Sequence, residues 1–380
     1  MKKLILHILL LAGLFGVLTT SCSQEEDDPT QETPKAQVVF TIALNGSSAA
    51  SRGTWGDNYN NNNTNNYESA IGDEFENRIN PDQFHVQLII GNQTIDVENL
   101  EYKKTAQINE YEFIGYVPVN KAPTKFKIMV YANMDPVNGS YENAKFGLNE
   151  DYIPMFGVQS HQNLTLAPGN RTVLPDPIYL LRAMAKVEVE LAANVINEGY
   201  TLTALTLDKY NKEGYCLPNN YASVDNTTSL CYPDDINNNT DTPSCFRVKA
   251  DANASNTTLQ PLSFTITDNH LVYYLPEVQN STSGNGDLTM TLTLMKGNEI
   301  VKINNELPKL YFKHYKVGGT PFDVVRNHWY QYTITNIKTE FDLGLNYTVK
   351  MWNDIKKGIL TFGDESGAVL TPKNEEQEEE

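Results

Sequence analysis

The segment Thr289-Met290-Thr291-Leu292-Thr293-Leu294 alternates polar and apolar residues without a break. A chain written with that two-residue period can gather its apolar side chains onto one face only as a β-strand. Lys186-Val187-Glu188-Val189-Glu190-Leu191 has the same period, and both read as strands with one face in a core and the other in water. Comparable short runs lie at 84–90, 111–117, 126–131, 185–191, 201–207, 262–267, 271–275, 288–294, 329–337 and 345–351. No fifteen-residue window after residue 22 carries an apolar stripe of helical period. Short strands at this spacing specify an all-β chain, and its 380 residues suit two domains. The expectation is two tandem Greek-key-like β-sandwich domains, 37–181 and 182–365, followed by an acidic tail, 366–380.

The first 21 residues form a different unit. Met1-Lys2-Lys3 is a positive start, and residues 4–17 are apolar except for His7. That run is too short to span a bilayer comfortably and has the length of a secretory signal. It ends Leu18-Thr19-Thr20-Ser21-Cys22. Small residues before a cysteine resemble a bacterial lipobox, although Thr19 stands where the strict pattern prefers Leu. This implies a signal peptide over 1–21 and lipid attachment at Cys22. The acidic run Glu25-Glu26-Asp27-Asp28 follows, in a stretch, 22–36, that reads as a solvated tether.

The chain carries 29 Lys+Arg against 47 Asp+Glu, a net charge of −18. An acidic body repels phosphate, which excludes a nucleic-acid partner. Catalytic signatures are missing: there is no GxSxG, no HExxH, no P-loop and no CxxC. The six histidines sit singly, without metal-ligand spacing, so no metal, cofactor or enzymatic activity is expected. Beyond Cys22 three cysteines remain, an odd number that leaves at most one disulfide and one free thiol. The candidate bridge is Cys216–Cys231, with Cys231–Cys245 as the other pairing at similar spacing.

Residues 37–44 (Gln-Val-Val-Phe-Thr-Ile-Ala-Leu) form an apolar strand separated from the next by some 35 residues, including the run Asn60-Asn61-Asn62-Asn63. Loops of that length are uncommon inside compact domains and are often functional. The loop contains Ser51-Arg52-Gly53-Thr54, an arginine among small residues. Arg78 is the other arginine before the next strand.

Several segments together resemble a known family. They are Ile153-Pro154-Met155-Phe156-Gly157, Leu180-Leu181-Arg182-Ala183-Met184-Ala185-Lys186, Tyr210-Asn211-Lys212-Glu213-Gly214-Tyr215, Tyr273-Tyr274-Leu275-Pro276-Glu277, and Phe322-Asp323-Val324-Val325-Arg326-Asn327-His328-Trp329-Tyr330. In this order, behind a lipoprotein signal, they resemble the fimbrillins, subunits of the donor-strand-assembled (type V) pili of Bacteroidales. The resemblance implies export as a lipoprotein, anchoring in the outer membrane through Cys22, and cutting by an arginine-specific protease after the first strand. Arg52-Gly53 is the matching site. Strand 38–44 would then leave a groove that a strand of another subunit fills. Four inserted apolar side chains at ~1.5–3 kcal/mol each offer about 6–12 kcal/mol before ordering costs. Two short apolar runs near the end, 359–362 and 367–370, read as the closing strand of the second sandwich followed by a donor segment, or else 359–362 is the last strand of its own domain and 366–380 a disordered tail. The expected partners are other pilus subunits, and the expected location is the cell surface, in a fimbrium. The alternatives are a surface glycan-binding lipoprotein, with Tyr and Trp stacked on sugars, and a non-polymerising anchor subunit that keeps its first strand.

Overall fold

The computed structural model describes residues 33–44, 76–105, 110–148, 150–227, 245–247, 261–280, 288–313, 321–338, 342–351 and 361–362. Within them the chain is all-β, with one short helix of full α type.

The first half contains β1 (Lys35–Leu44), β2 (Arg78–Ile79), β3 (Phe84–Ile90), β4 (Gln93–Asp96), β5 (Glu98–Lys104), β6 (Glu110–Pro118), β7 (Phe126–Ala132), β8 (Lys145–Gly147), β9 (Met155–His161), β10 (Arg171–Val173) and β11 (Ile178–Arg182). Eight of these form one path, β4-β3-β7-β9-β11-β1-β6-β5, with β10 also paired to β1. The sheet encloses a core that includes Val38, Phe40, Ile42, Val86, Phe113, Ile128 and Leu180. Strand β6 shows how the sequence builds it: every second residue, from Tyr111 through Phe113 to Val117, is buried, as a two-residue period requires. Gly157 serves a close approach of β9 to β11. A β-carbon there would stand 2.9 Å from side-chain atoms of both Ile178 and Leu180, so a larger residue would force the strands apart.

The second half contains β12 (Ala185–Leu191), α1 (Ala193–Asn197), β13 (Tyr200–Asp208), β14 (Glu213–Tyr215), β15 (Leu262–Thr265), β16 (His270–Leu275), β17 (Thr289–Lys296), β18 (Glu299–Ile300), β19 (Lys309–Tyr311), β20 (His328–Lys338), β21 (Asp342–Met351) and β22 (Thr361–Phe362). One sheet runs β16-β12-β20-β21, and the other β15-β13-β17-β18 with β19 on β17. Val187, Val189, Tyr330 and Tyr332 from the first share a buried cluster with Leu205, Leu207, Met290 and Leu292 from the second. This is the layered arrangement of a β-sandwich.

A third buried cluster joins the halves, drawing Tyr131 and Phe156 from one and Cys216 and Trp329 from the other. Strands β8 and β14 pair across it. This junction corrects one expectation. The polar face of β12 is not open to water: Lys186 is 1% and Glu188 2% exposed, because that face packs toward the junction. The end of the chain also differs from a closing strand of the second sandwich, for β22 pairs in parallel with β2.

Candidate functional site: the first strand and its groove

β1 is an interior strand. On one side it pairs antiparallel with β6 over nine residues, from Lys35 opposite Pro118 to Ala43 opposite Glu110. On the other side its first part pairs in parallel with β10, Gln37 to Val39 opposite Arg171 to Val173. Its last part pairs in parallel with β11, Ile42 to Leu44 opposite Ile178 to Leu180. Further backbone bonds bind it laterally: Gln37 N–H donates to the Asn170 carbonyl (2.9 Å), and Leu174 N–H donates to the Val39 carbonyl (2.8 Å).

Ala36, Val38, Phe40 and Ile42 alternate into the core. Phe40 stacks on Phe113 at 5.3 Å, which stacks in turn on Phe84 at 4.7 Å. The other face carries Val39 and Ala43, also buried, and Gln37, whose Nε2 donates to the Tyr116 hydroxyl at 3.1 Å. The Lys35–Glu98 ion pair is exposed on both sides and adds little.

Withdrawing this strand would leave β6 facing β10 and β11 across a gap one strand wide, about 9–10 Å at ordinary interstrand spacing. Both rims would present unpaired backbone groups above an apolar floor, a surface that demands a replacement strand. Only the polypeptide from 45 to 75 joins β1 to the rest of the chain on its C-terminal side.

Cys22, Arg52, Gly53 and Cys231 lie outside the described residues. The competing arginine, Arg78, is in β2, where its backbone pairs with Thr361. Its carbonyl accepts from Asn133 Nδ2 at 2.8 Å, and its guanidinium lies over the Tyr152 ring. The Cys216–Cys231 bridge is corrected: Cys216 is a free, buried thiol, and Cys245 is the disulfide-bonded cysteine among the described residues. Cys216 is held inside the junction. Its N–H donates to the Ala144 carbonyl, and its own carbonyl accepts from Arg326 Nη1 at 3.0 Å. Burial pushes its thiol pKa up to about 12.

From residue 76 onward lies a buried polar cluster. Glu76 Oε1 stands 2.5 Å from Lys186 Nζ and accepts from the Tyr274 hydroxyl at 2.7 Å. Arg182 Nε donates to the Glu76 carbonyl at 2.9 Å, and its Nη2 donates to Asn77 Oδ1. Burial lowers the Arg182 pKa to about 10, against the opposing pull of Glu76, so the guanidinium stays charged at neutral pH. Lys186 also lies 4.6 Å from the centre of the Trp329 ring. Arg182 and Lys186 stand out in the sequence as charges flanking two alanines. Glu76 does not, because its partners are more than a hundred residues away.

Strand pairing also gathers a group that spacing does not show: potential ligand atoms of Glu188, Glu190 and His270 lie within 4.8 Å of one another. His270 Nε2 is 3.0 Å from Glu188 Oε1. Gln331 donates to Glu188 at 2.7 Å, and Thr333 donates to Glu190 at 2.8 Å. Both carboxylates therefore have protein partners.

No protein-family model matches the sequence, and no curated protein matches it. Solved structures similar to this chain are fimbrial and cell-adhesion proteins. The tip fimbrial protein Mfa3 of Porphyromonas gingivalis, truncated at its C-terminus, is 13% identical, with a TM-score of 0.46 over 84% of this chain and 100% of that one. A candidate cell adhesion protein of Parabacteroides distasonis is 15% identical, with a TM-score of 0.44 over 85% and 98%. A fimbrial assembly protein of the same organism is 14% identical, with a TM-score of 0.41 over 83% and 98%. At these scores the likeness carries no argument by itself.

Proposed function

We propose that this chain is a non-enzymatic subunit of a cell-surface fimbrium, exported as a lipoprotein through Cys22 and serving adhesion. In this reading residues 37–181 and 182–365 are its two domains. Cutting at Arg52-Gly53 frees β1, and a strand from another subunit takes its place.

One observation carries the reading. β1 lies inside its sheet, with hydrogen-bonded neighbours on both sides, yet among the described residues it is the one element that a single cut in 45–75 separates from those that follow. A replacement strand regains main-chain hydrogen bonds for affinity and fills alternate pockets for register. The glycan-binding alternative, which calls on Tyr and Trp residues to stack on sugar, gains nothing from Trp329 and Tyr330, which are buried.

The test is treatment of the folded precursor with an arginine-specific protease, followed by N-terminal sequencing and electrophoresis without heating. The expected product begins at Gly53 and forms a ladder of polymers. A precursor that resists the protease supports the anchor reading. A cut product that stays monomeric beside intact partner subunits contradicts strand exchange.

A further inference from the structure

We propose that Glu76 is a positioning residue that pins residues 76–80 to the folded body, so that events on β1 do not propagate past this point. The inference rests on the strand-removal reading, but its test does not require nature's own cut.

The cluster is built differently from the bonding of β1. Strand β1 is held chiefly by ladder bonds and apolar contacts of the first sheet and its core, with the Lys35–Glu98 ion pair exposed. Glu76 and Asn77 are held by charged or hydroxyl groups from three other strands: Arg182 at the end of β11, Lys186 on β12 and Tyr274 on β16. Of those three strands, β11 alone pairs with β1 in the described sheets. Both ends of the Glu76–Lys186 pair are about 2% exposed at the side chain, so solvent does not screen it as it would a surface pair. Two residues further on, Ile79 is buried in the first core, and Asn133 Oδ1 accepts from the Asn80 N–H at 2.7 Å. The chain is thus tied first to the second sheet and then to the first within five residues.

A strand that must leave needs a boundary, otherwise its departure would peel the following residues from the body. Glu76 supplies one through two separate groups: its carboxylate meets Lys186 Nζ, and its main-chain carbonyl accepts from Arg182 Nε. Neutralising the carboxylate would weaken its buried pairing with Lys186, which is costly in a low-dielectric site.

The experiment uses the full chain with a recognition site for a sequence-specific protease inserted in 45–75. Backbone hydrogen exchange at residues 76–80 is compared before and after the nick. For the unsubstituted chain the expected result is unchanged protection. For Glu76→Gln the expected result is near-normal protection when intact and a rise of about tenfold or more in exchange after nicking, as local opening no longer stops at this point. Tyr274→Phe, which removes one hydrogen bond and keeps the charge, should show a smaller rise and covers the case in which Glu76→Gln does not fold. Loss of protection at 76–80 on nicking the unsubstituted chain would overturn the inference, and so would equal exchange in nicked variants and nicked parent. Failure of the arginine-specific cut, by contrast, would count against the proposed function alone.

Discussion

Phe40 lies almost flat against Phe113, with ring centroids 5.3 Å apart and planes 10° from parallel. One ring belongs to β1 and the other to β6, its antiparallel neighbour. Phe40→Ala should destabilise the intact protein by about 3–5 kcal/mol, the usual cost of emptying a buried aromatic site. The check is urea unfolding of both proteins. The same substitution should not change the stability of a nicked protein from which β1 has been exchanged for an unsubstituted strand.

Arg326 and Glu277 form a second buried pair, with Nη2 2.7 Å from Oε2. The carboxylate also accepts from the backbone N–H groups of Arg326 and Arg247, while Arg326 donates to the carbonyls of Tyr215 and Cys216. Breaking a pair of this kind costs about 3–5 kcal/mol. Arg326→Ala should lose that much in denaturant titrations, and Arg326→Lys should recover little of it because one ammonium cannot span three acceptors.

Acid should weaken the fold. Burial lowers the His161 pKa, partly opposed by Asp176. A histidine with a folded pKa below its unfolded value of about 6.5 contributes stability above that value and loses it as the pH falls, since the unfolded chain binds the proton more readily. Glu188, despite the desolvation that pushes the other way, is held below its ordinary pKa by His270 and Gln331, and it adds a loss of the same sign in more acid solution. Melting temperatures measured from pH 7 to pH 4 should fall. In His161→Gln the part of the fall just below pH 6.5 should flatten.

Cys216 should resist alkylation while the protein is folded. Its thiol pKa of about 12 leaves almost no thiolate at pH 8, and the thiolate is the reactive form. Peptide mass spectrometry after iodoacetamide should find Cys216 unmodified in native protein and modified in denaturant.

Much of this fold was legible in the sequence, because alternation survives wherever one face of a strand meets a core. β17 alternates residue by residue, with Met290, Leu292 and Leu294 buried. Edge strand β5 was not legible, since in Glu-Asn-Leu-Glu-Tyr-Lys-Lys only Leu100 and Tyr102 face the core and neither is fully buried. β12 was legible as a strand but misleading in its environment. Lys186 and Glu188 read as water-facing until Glu76, Trp329, His270 and Gln331 arrive from distant positions to meet them. β1 could be read as a lone apolar strand, but not its place between antiparallel β6 and parallel β10 and β11, because register across a sheet is a non-local property. The free state of Cys216 was equally hidden, for it depends on the junction that encloses it.

Strand exchange requires that the place of β1 between β6 and β10–β11 accept a strand in trans. The most direct measurement adds a labelled peptide, Lys35 to Leu44, to protein nicked within 45–75 and follows exchange of the resident strand. The account predicts that the labelled peptide enters and stays bound, and that a peptide with Val38, Phe40 and Ile42 replaced by Ser does not. Equal uptake of both peptides, or no uptake of either under conditions where the resident strand is released, would contradict it.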